Sequence, residues 1–395
     1  MTEPNLRFKH ENGSNYPSWN EIPLGELVTD NLDPVPTPRE GYRRVGIYCH
    51  AKGTFQEDVP AENILDVDTM YRIHKDNLIV NITFAWEHAV AIVKPEDEGL
   101  LVSHRFPEYY FNDGQVPGFY KYLILRPYFK NQLSLASPGG AGRNRVLNKS
   151  QFKEIIVKVP CEEEQQKIAD FLSSVDEVIA ASEQEVANLE TQKKAVMKKI
   201  FSQEVRFKKD GMDFPEWEEK QMKEVITLLS GQDFPPEQYN DQGIGTPYLT
   251  GASCIINDKT TAVRWTETPK NIVVLGDIVI VCKGSGSGTV AIVNQEKAHI
   301  ARQFMSIRPN QQLVKSYCYY QVCGMTEEIR SEARGTIPGI ERNTILRRTI
   351  RVPCLEEQRL IADFLSNFDE AIAAAKKELE LWKELKKGLL QQMFV

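Results

Sequence analysis

Residues 159–177 read VPCEEEQQKIADFLSSVDE, and residues 352–370 read VPCLEEQRLIADFLSNFDE. Of these 19 positions 14 are identical, at a constant offset of 193 residues with no gap. Each stretch opens a longer periodic segment. In the first copy, apolar or small residues fall at Ile168, Leu172, Val175, Ile179, Ser182, Val186 and Leu189, then at Val196 and Ile200, with Lys193 in the intervening slot. In the second they fall at Ile361, Leu365, Phe368, Ile372, Ala375, Leu379 and Trp382, then at Leu389 and Met393, with Lys386 in the matching slot. Steps that alternate four and three are a heptad seam. Pro160 and Pro353 stand before acidic runs (Glu162-Glu163-Glu164 and Glu356-Glu357), and lysines crowd the far ends, an arrangement that suits the helix dipole. Two long helices are therefore predicted. Both copies leave the apolar seam at the same heights, Ser182 with Ala375 and Lys193 with Lys386, which predicts that they pack on each other. A homodimerising coiled coil or an ordinary bundle would use the same seam. Intramolecular, antiparallel pairing is preferred because both copies lie on one chain.

The repeat extends beyond the helices. Residues 142–160 align with 335–353 without a gap, and Arg7-Phe8-Lys9 is echoed by Arg206-Phe207-Lys208. Pro17-Ser-Trp19 is echoed by Pro215-Glu-Trp217, and Glu26-Leu27-Val28 by Glu224-Val225-Ile226. A repeat of nearly 200 residues is too long for a solenoid and reads as a duplicated domain pair. The predicted class is α+β: two tandem α/β-mixed domains separated by two long helices that pair as an antiparallel coiled coil with pseudo-two-fold symmetry. The expected segments are 1–158 (with a short N-terminal extension), 159–203 (central helical spacer), 204–351 and 352–395 (C-terminal helical spacer). β-like runs at 77–84, 272–275 and 277–281 are punctuated by Gly and Pro. One helix is expected over 118–130 and a counterpart over 315–333.

A content of 41% hydrophobic and 9% aromatic residues supports packed cores. No apolar run is long enough to span a membrane, and MTEPNLRFKH has no apolar segment of the secretory kind, so a cytoplasmic protein is expected. Seven cysteines, an odd number with no CxxC pair, fit free thiols in a reducing compartment. The net charge of −7 argues weakly against nucleic-acid binding, but the distribution of basic residues decides that question.

Two aligned loops carry small, polar and basic residues just before the last strand of each half. One holds Arg143, Asn144 and Arg145, with Lys149 beyond it; the other holds Arg334, Thr336, Arg342 and Asn343. Glycine lets a backbone approach phosphate, while Arg and Asn supply forks for phosphate or base edges. Further candidate DNA contacts are Lys283, Ser285, Ser287 and Thr289 in a Gly-rich loop, then Arg302 and Gln303, and in the first half Arg43, Arg44, Lys52 and Arg105. Any one of these could equally be a solvated turn residue. The Gly-rich loop lacks the GK[ST] of a P-loop, Asp233-Phe-Pro-Pro-Glu237 lacks a following aromatic in place, and Glu218-Glu-Lys220 lacks a partner Asp. The six histidines show no ligand spacing, so neither a catalytic constellation nor a metal site is expected.

Taken together, tandem variable domains alternate with two helices introduced by P-x-x-x-E-Q-x-x-I-A-x-F-L, here Pro160 to Leu172 and Pro353 to Leu365. With the RFK…FPEWEE opening of the second half and the GTIPGI loop, this resembles the specificity subunit of type I restriction–modification enzymes over almost the whole chain. The departures are a Cys after Pro160 and Pro353 and the N-terminal extension. The resemblance implies two target-recognition domains, each reading one part of a split, asymmetric site on double-stranded DNA. It implies that the helices set the spacer and dock two methyltransferase (M) subunits, which restriction/translocase (R) subunits join. S-adenosylmethionine, ATP and Mg would then be bound by those partners, and this chain would hold no cofactor and catalyse nothing. A helix of about 38 residues is about 57 Å long, which bounds the spacer at about 17 base steps. A non-catalytic coiled-coil adaptor, or the recognition subunit of a system whose methyltransferase is fused to its nuclease, would share much of this pattern.

Overall fold

The computed structural model describes residues 3–140, 145–284, 286–332 and 339–394. The chain forms two compact units, one of Met1–Ala181 with Leu379–Val395 and the other of Ser182–Glu378. Each long helix therefore contributes one half to each unit.

The first unit begins with an antiparallel ribbon, Asn20–Pro23 against Ile156–Val159, in which Glu21 faces Lys158. A four-stranded sheet follows in the order Val28–Asn31, Glu108–Phe111, Leu78–Val80, Val90–Ile92. Leu78, Ile79 and Val80 are all fully buried, as expected of a strand covered on both faces. A second, five-stranded sheet runs Pro34–Pro36, Thr69–Arg72, Leu101–Val102, Tyr42–Ile47, Thr54–Val59. The single helix expected over 118–130 is two helices, Pro117–Leu123 and Pro127–Leu135. Pro127 holds the preceding Arg126 in the extended region (ψ 142°) and starts the second helix at N1, where its missing N–H costs nothing.

The second unit repeats this construction. Glu218–Gln221 pairs antiparallel with Thr349–Val352. In a six-stranded sheet the fully buried Ile278–Val281 lies between Phe304–Pro309 and Val290–Ile292, and a four-stranded sheet contains Thr246–Leu249 and Lys297–Ile300. The expected helix over 315–333 is also broken, into Lys315–Gly324 and Thr326–Ser331.

The long helices are Glu162–Phe201 and Leu355–Met393. Their seam residues face inward: Ile168, Leu172, Val175 and Val186 are buried, as are Ile361, Leu365, Ile372 and Leu379, while Ile179, Leu189, Phe368 and Trp382 are half-buried. The two charged seam positions are paired. In the second unit Lys193 meets Asp369, and Lys376 meets Glu190 at 2.6 Å. In the first, Lys386 meets Asp176 at 2.5 Å. Residue numbers rise along one helix as they fall along the other, so the helix halves are antiparallel in each unit. Each Asp also accepts a tyrosine hydroxyl: Tyr122 donates to Asp176 at 2.9 Å and Tyr320 to Asp369 at 2.6 Å. Burial alone would raise the Asp176 carboxyl, but hydrogen bonds from Lys386 and Lys121 outweigh it and hold the group below its ordinary value.

The E-Q of the repeated signature locks each helix start to its own unit. Gln165 donates to Pro160 O at 2.9 Å and accepts from Val116 N at 3.0 Å; Gln358 donates to Pro353 O at 2.9 Å and accepts from Val314 N at 2.7 Å. The fully buried Glu164 accepts from Arg7, and the fully buried Glu357 from Arg206 and Trp217. Phe8 meets Phe171 edge-on at 5.7 Å, as Phe207 meets Phe364 at 5.5 Å. The echoed RFK motifs are thus anchors for the helix starts. No described helix is long and apolar enough to cross a membrane.

Candidate nucleic-acid interface

In the second unit, strand order brings four expected contact residues to one cleft of about 520 Å³: Lys283, Arg302, Arg342 and Asn343, beside Ser230, Gly231 and Glu341. Lys283 is placed by a backbone bridge to Gly339, and Ile340 N donates to Cys282 O at 2.8 Å. Arg342 opens the short helix Arg342–Leu346 and reaches Ser230 Oγ at 2.9 Å and Leu228 O at 3.1 Å. Arg302 pairs with Asp233 at 2.6 Å yet remains mostly exposed. The Asp-Phe-Pro-Pro stretch is therefore structural: Asp233 also accepts from Arg302 N, and Phe234 stacks on His299 at 4.3 Å. Cys282 N donates to Gln303 O at 2.7 Å, which fixes the strand edge at this cleft.

The described residues of the Gly-rich loop are tied by hydrogen bonds. Ser287 is buried and donates to Gly284 O at 2.8 Å, while Arg330 donates to Ser287 O at 3.0 Å. Thr289 closes the loop, donating to Gly286 O at 3.0 Å and accepting from Val281 N at 2.8 Å.

In the first unit, Arg44 and Arg105 line a cleft of about 550 Å³ with Asn81, Thr83 and His104. The sequence gives no signal for Asn81 or His104, because only the sheet order brings them beside Arg44. Arg43 and Arg44 are partly neutralised across the hairpin by Asp58 at 2.8 Å and Glu57 at 2.8 Å. Lys52 sits exposed in the turn of the same hairpin. Lys149 opens the helix Lys149–Lys153 and lines a separate cleft with Asp30, Arg72 and Glu108. Arg145 faces inward, bonding Ser137 O at 3.0 Å and Ser134 Oγ at 2.9 Å, with its guanidinium over the Trp86 ring at 5.5 Å. Its role here is to tie down the end of the helix Pro127–Leu135. Arg143, Asn144, Ser285, Arg334 and Thr336 lie outside the described residues. Among the described residues no three His, Cys, Asp or Glu side chains gather as metal ligands.

Two units of one construction, each with basic groups in a cleft and each closed by half of a long helix pair, define a duplicated binding protein. The sequence model of the type I restriction modification DNA specificity domain matches residues 54–191 and again 215–381, so the chain belongs to that family and carries its domain twice. A Methanocaldococcus jannaschii protein designated the type I restriction enzyme MjaX specificity subunit is 27% identical over 350 residues, covering 85% of this chain and 80% of that one. The MjaVIII specificity subunit of the same organism is 26% identical over 299 residues, covering 69% of this chain and 67% of that one. Among solved structures, a chain from work on complex assembly and conformational transition of the type I R–M system superposes with a TM-score of 0.63 at 21% identity, covering 96% of this chain and 98% of that one. The S subunit of the type I restriction–modification system from M. genitalium gives 0.59 at 15% identity, covering 100% and 99%. These two likenesses establish the shared fold.

Proposed function

We propose that the chain is the non-catalytic, sequence-reading subunit of a cytoplasmic type I restriction–modification complex. Each domain reads one part of a bipartite, asymmetric site on double-stranded DNA, and the paired helices set the gap. The helices also seat two methyltransferase subunits, which bring S-adenosylmethionine. Restriction/translocase subunits, with ATP and Mg, then join; this chain binds no cofactor itself. The observation that carries the reading is the double match to the specificity domain, at 54–191 and 215–381, on two units with equivalent helix anchors. Within the second unit, the convergence of Lys283, Arg302, Arg342 and Asn343 supports a contact surface with both phosphate-type and base-type donors. In the first unit the matching candidates are Arg44 and Arg105, with Arg43 and Lys52 on the adjoining hairpin. The test is co-expression with a methyltransferase subunit from the same genome, followed by genome-wide mapping of methylated adenine. The expected result is a split motif with a fixed gap, in which exchange of residues 1–158 changes one half only. A soluble complex that methylates nothing, or an exchange that changes both halves, would overturn the assignment.

A further inference from the structure

One cation of the second unit's cleft is fixed at its backbone and at one guanidinium nitrogen, and is open beyond that. Arg302 sits where the chain is pinned from both sides. Gly231 N donates to Phe304 O at 3.0 Å and Gln232 N to Ile300 O at 2.9 Å, while on the other side Cys282 N donates to Gln303 O at 2.7 Å. The first approach needs a glycine, since a Cβ at residue 231 would lie 2.0 Å from Ala301 O. A single carboxylate then holds the arginine. Asp233 Oδ1 accepts from Arg302 N at 3.0 Å, and Asp233 Oδ2 forms the ion pair with Arg302 Nε at 2.6 Å. Gln303, with its amide turned to satisfy both acceptors, donates to Asp233 Oδ1 and to Thr250 O at 3.2 Å each, which fixes the carboxylate in turn. The Arg302 side chain is still 66% exposed and lines the cleft. Among the described residues its Nη1 and Nη2 have no partner.

The other cations of the cleft are in different states. Arg342 already gives Nη1 to Ser230 Oγ and Nη2 to Leu228 O. Lys283 is exposed, and among the described residues no carboxylate pairs with it. It is a point charge on a flexible stem, which suits a phosphate. Arg302 differs from both. Its charge is offset by Asp233 at contact distance, and that carboxylate repels a phosphate oxyanion brought to the same guanidinium. Neutral acceptors meet no such repulsion, and the free Nη edge still presents two parallel donors of fixed direction. Such a fork matches O6 and N7 of guanine in the major groove. Strand register supports the placement. Ile226 opposite Pro309 repeats Val28 opposite Phe111 at an offset of 198 residues. The same offset puts Arg302 where the first unit has His104, and each lines its own unit's cleft. One cleft position carrying different side chains is expected of domains that read different half-sites.

We propose that Arg302 reads a guanine in the half-site bound by the second unit, and that Asp233 is its positioning residue. The proposal rests on the DNA-reading function above and adds the base and the side chain. The experiment maps methylated adenine for the full chain co-expressed with its methyltransferase subunit, then for Arg302→Ala and Asp233→Asn. Competition binding of each assembled complex to duplexes that vary every base pair of the half-site retained on exchange of residues 1–158 gives the magnitudes. Arg302→Ala should lose about 5–150-fold of discrimination at one G·C pair, the amount a bidentate contact supplies, with the other positions unchanged. Asp233→Asn keeps the shape and the arginine and should relax the same pair by a smaller factor. A phosphate contact behaves otherwise: Arg302→Ala would weaken every sequence alike and lower the salt slope by about one ion, and Asp233→Asn would tighten every sequence. Should Asp233→Asn fail to fold, the exposed Arg302→Ala alone decides. A half-site without a G·C pair, an unchanged motif, or uniform weakening by Arg302→Ala overturns the proposal while the split motif stands. Absence of a split motif in the unaltered protein overturns the function beneath it as well.

Discussion

Replacing Arg206 by methionine should destabilise the second unit by about 5 kcal/mol. Glu357 has no exposed side-chain surface and is held by Arg206 Nε at 3.3 Å, Arg206 Nη2 at 3.0 Å and Trp217 Nε1 at 2.9 Å. Methionine fills the space of the arginine stem but leaves the carboxylate with one donor. Removing one partner of a buried ion pair costs about 3–5 kcal/mol, and the surviving Trp217 bond pulls this toward the lower end. Arg206 also donates to Phe214 O at 3.2 Å and Pro215 O at 2.8 Å, and each of these bonds is worth about 1 kcal/mol net. Glu357→Gln keeps the shape and should cost only about 1–2 kcal/mol. Arg206→Met combined with Glu357→Leu should cost less than Arg206→Met alone, because no buried charge is stranded. Urea unfolding should be read together with hydrogen exchange on peptides from 205–220 and 355–370, since a chain of two units need not unfold in one step. A cost below about 1 kcal/mol for Arg206→Met, or a double variant as unstable as the single, would refute the anchor argument.

The seam pair should behave alike on a smaller scale: Lys193→Met should cost about 1–2 kcal/mol, and adding Asp369→Leu should recover part of it, as a double-mutant cycle would measure. His299 gives a pH dependence. Burial lowers its pKa, its Nε2 donates to Gln232 O at 2.7 Å, and its Nδ1 accepts from Asn271 N at 3.1 Å. The unfolded chain therefore binds the proton first. The contribution is fully present above the unfolded value of about 6.5 and is lost as pH falls from there through the folded value; His299→Gln should flatten that slope in thermal melts between pH 7 and 5. At the proposed DNA-contact cleft of the second unit, Lys283→Ala should weaken binding of all sequences and reduce the salt slope by about one ion, whereas loss of a base-reading side chain should cost about 1–3 kcal/mol at one base position, both read by titration of the assembled complex at several salt concentrations.

The helices were legible because a heptad seam needs only local spacing, and duplication doubled the signal. The charged interruptions at Lys193 and Lys386 were legible as shared irregularities, but their partners were not: Asp369 and Asp176 lie 176 and 210 residues away in the chain. The same distance hid the meaning of the repeated Arg-Phe-Lys, which reads as an echo until Glu164 and Glu357 are seen beneath it. Among the basic residues, chemistry alone could not separate those facing solvent from those already engaged. Arg145 belongs to the frame because Ser134 and Ser137 surround it, and Arg43 and Arg44 meet Asp58 and Glu57 only through the hairpin register. The helices expected at 118–130 and 315–333 failed at one proline and at Gly324-Met325, local breaks that an apolar pattern outweighed in the reading.

The division of each long helix between two units has a consequence for how the protein is made. The second unit is one continuous stretch, Ser182–Glu378, and can close as soon as it has been synthesised. The first unit begins earlier on the ribosome but keeps Met393 and Phe394 in its core. Its hydrophobic centre must wait, partly uncovered, through about 200 residues of further translation, about 10–40 s at synthesis rates of about 5–20 residues per second. The unit that starts first is the one completed last, and during that interval it is the natural client for a chaperone.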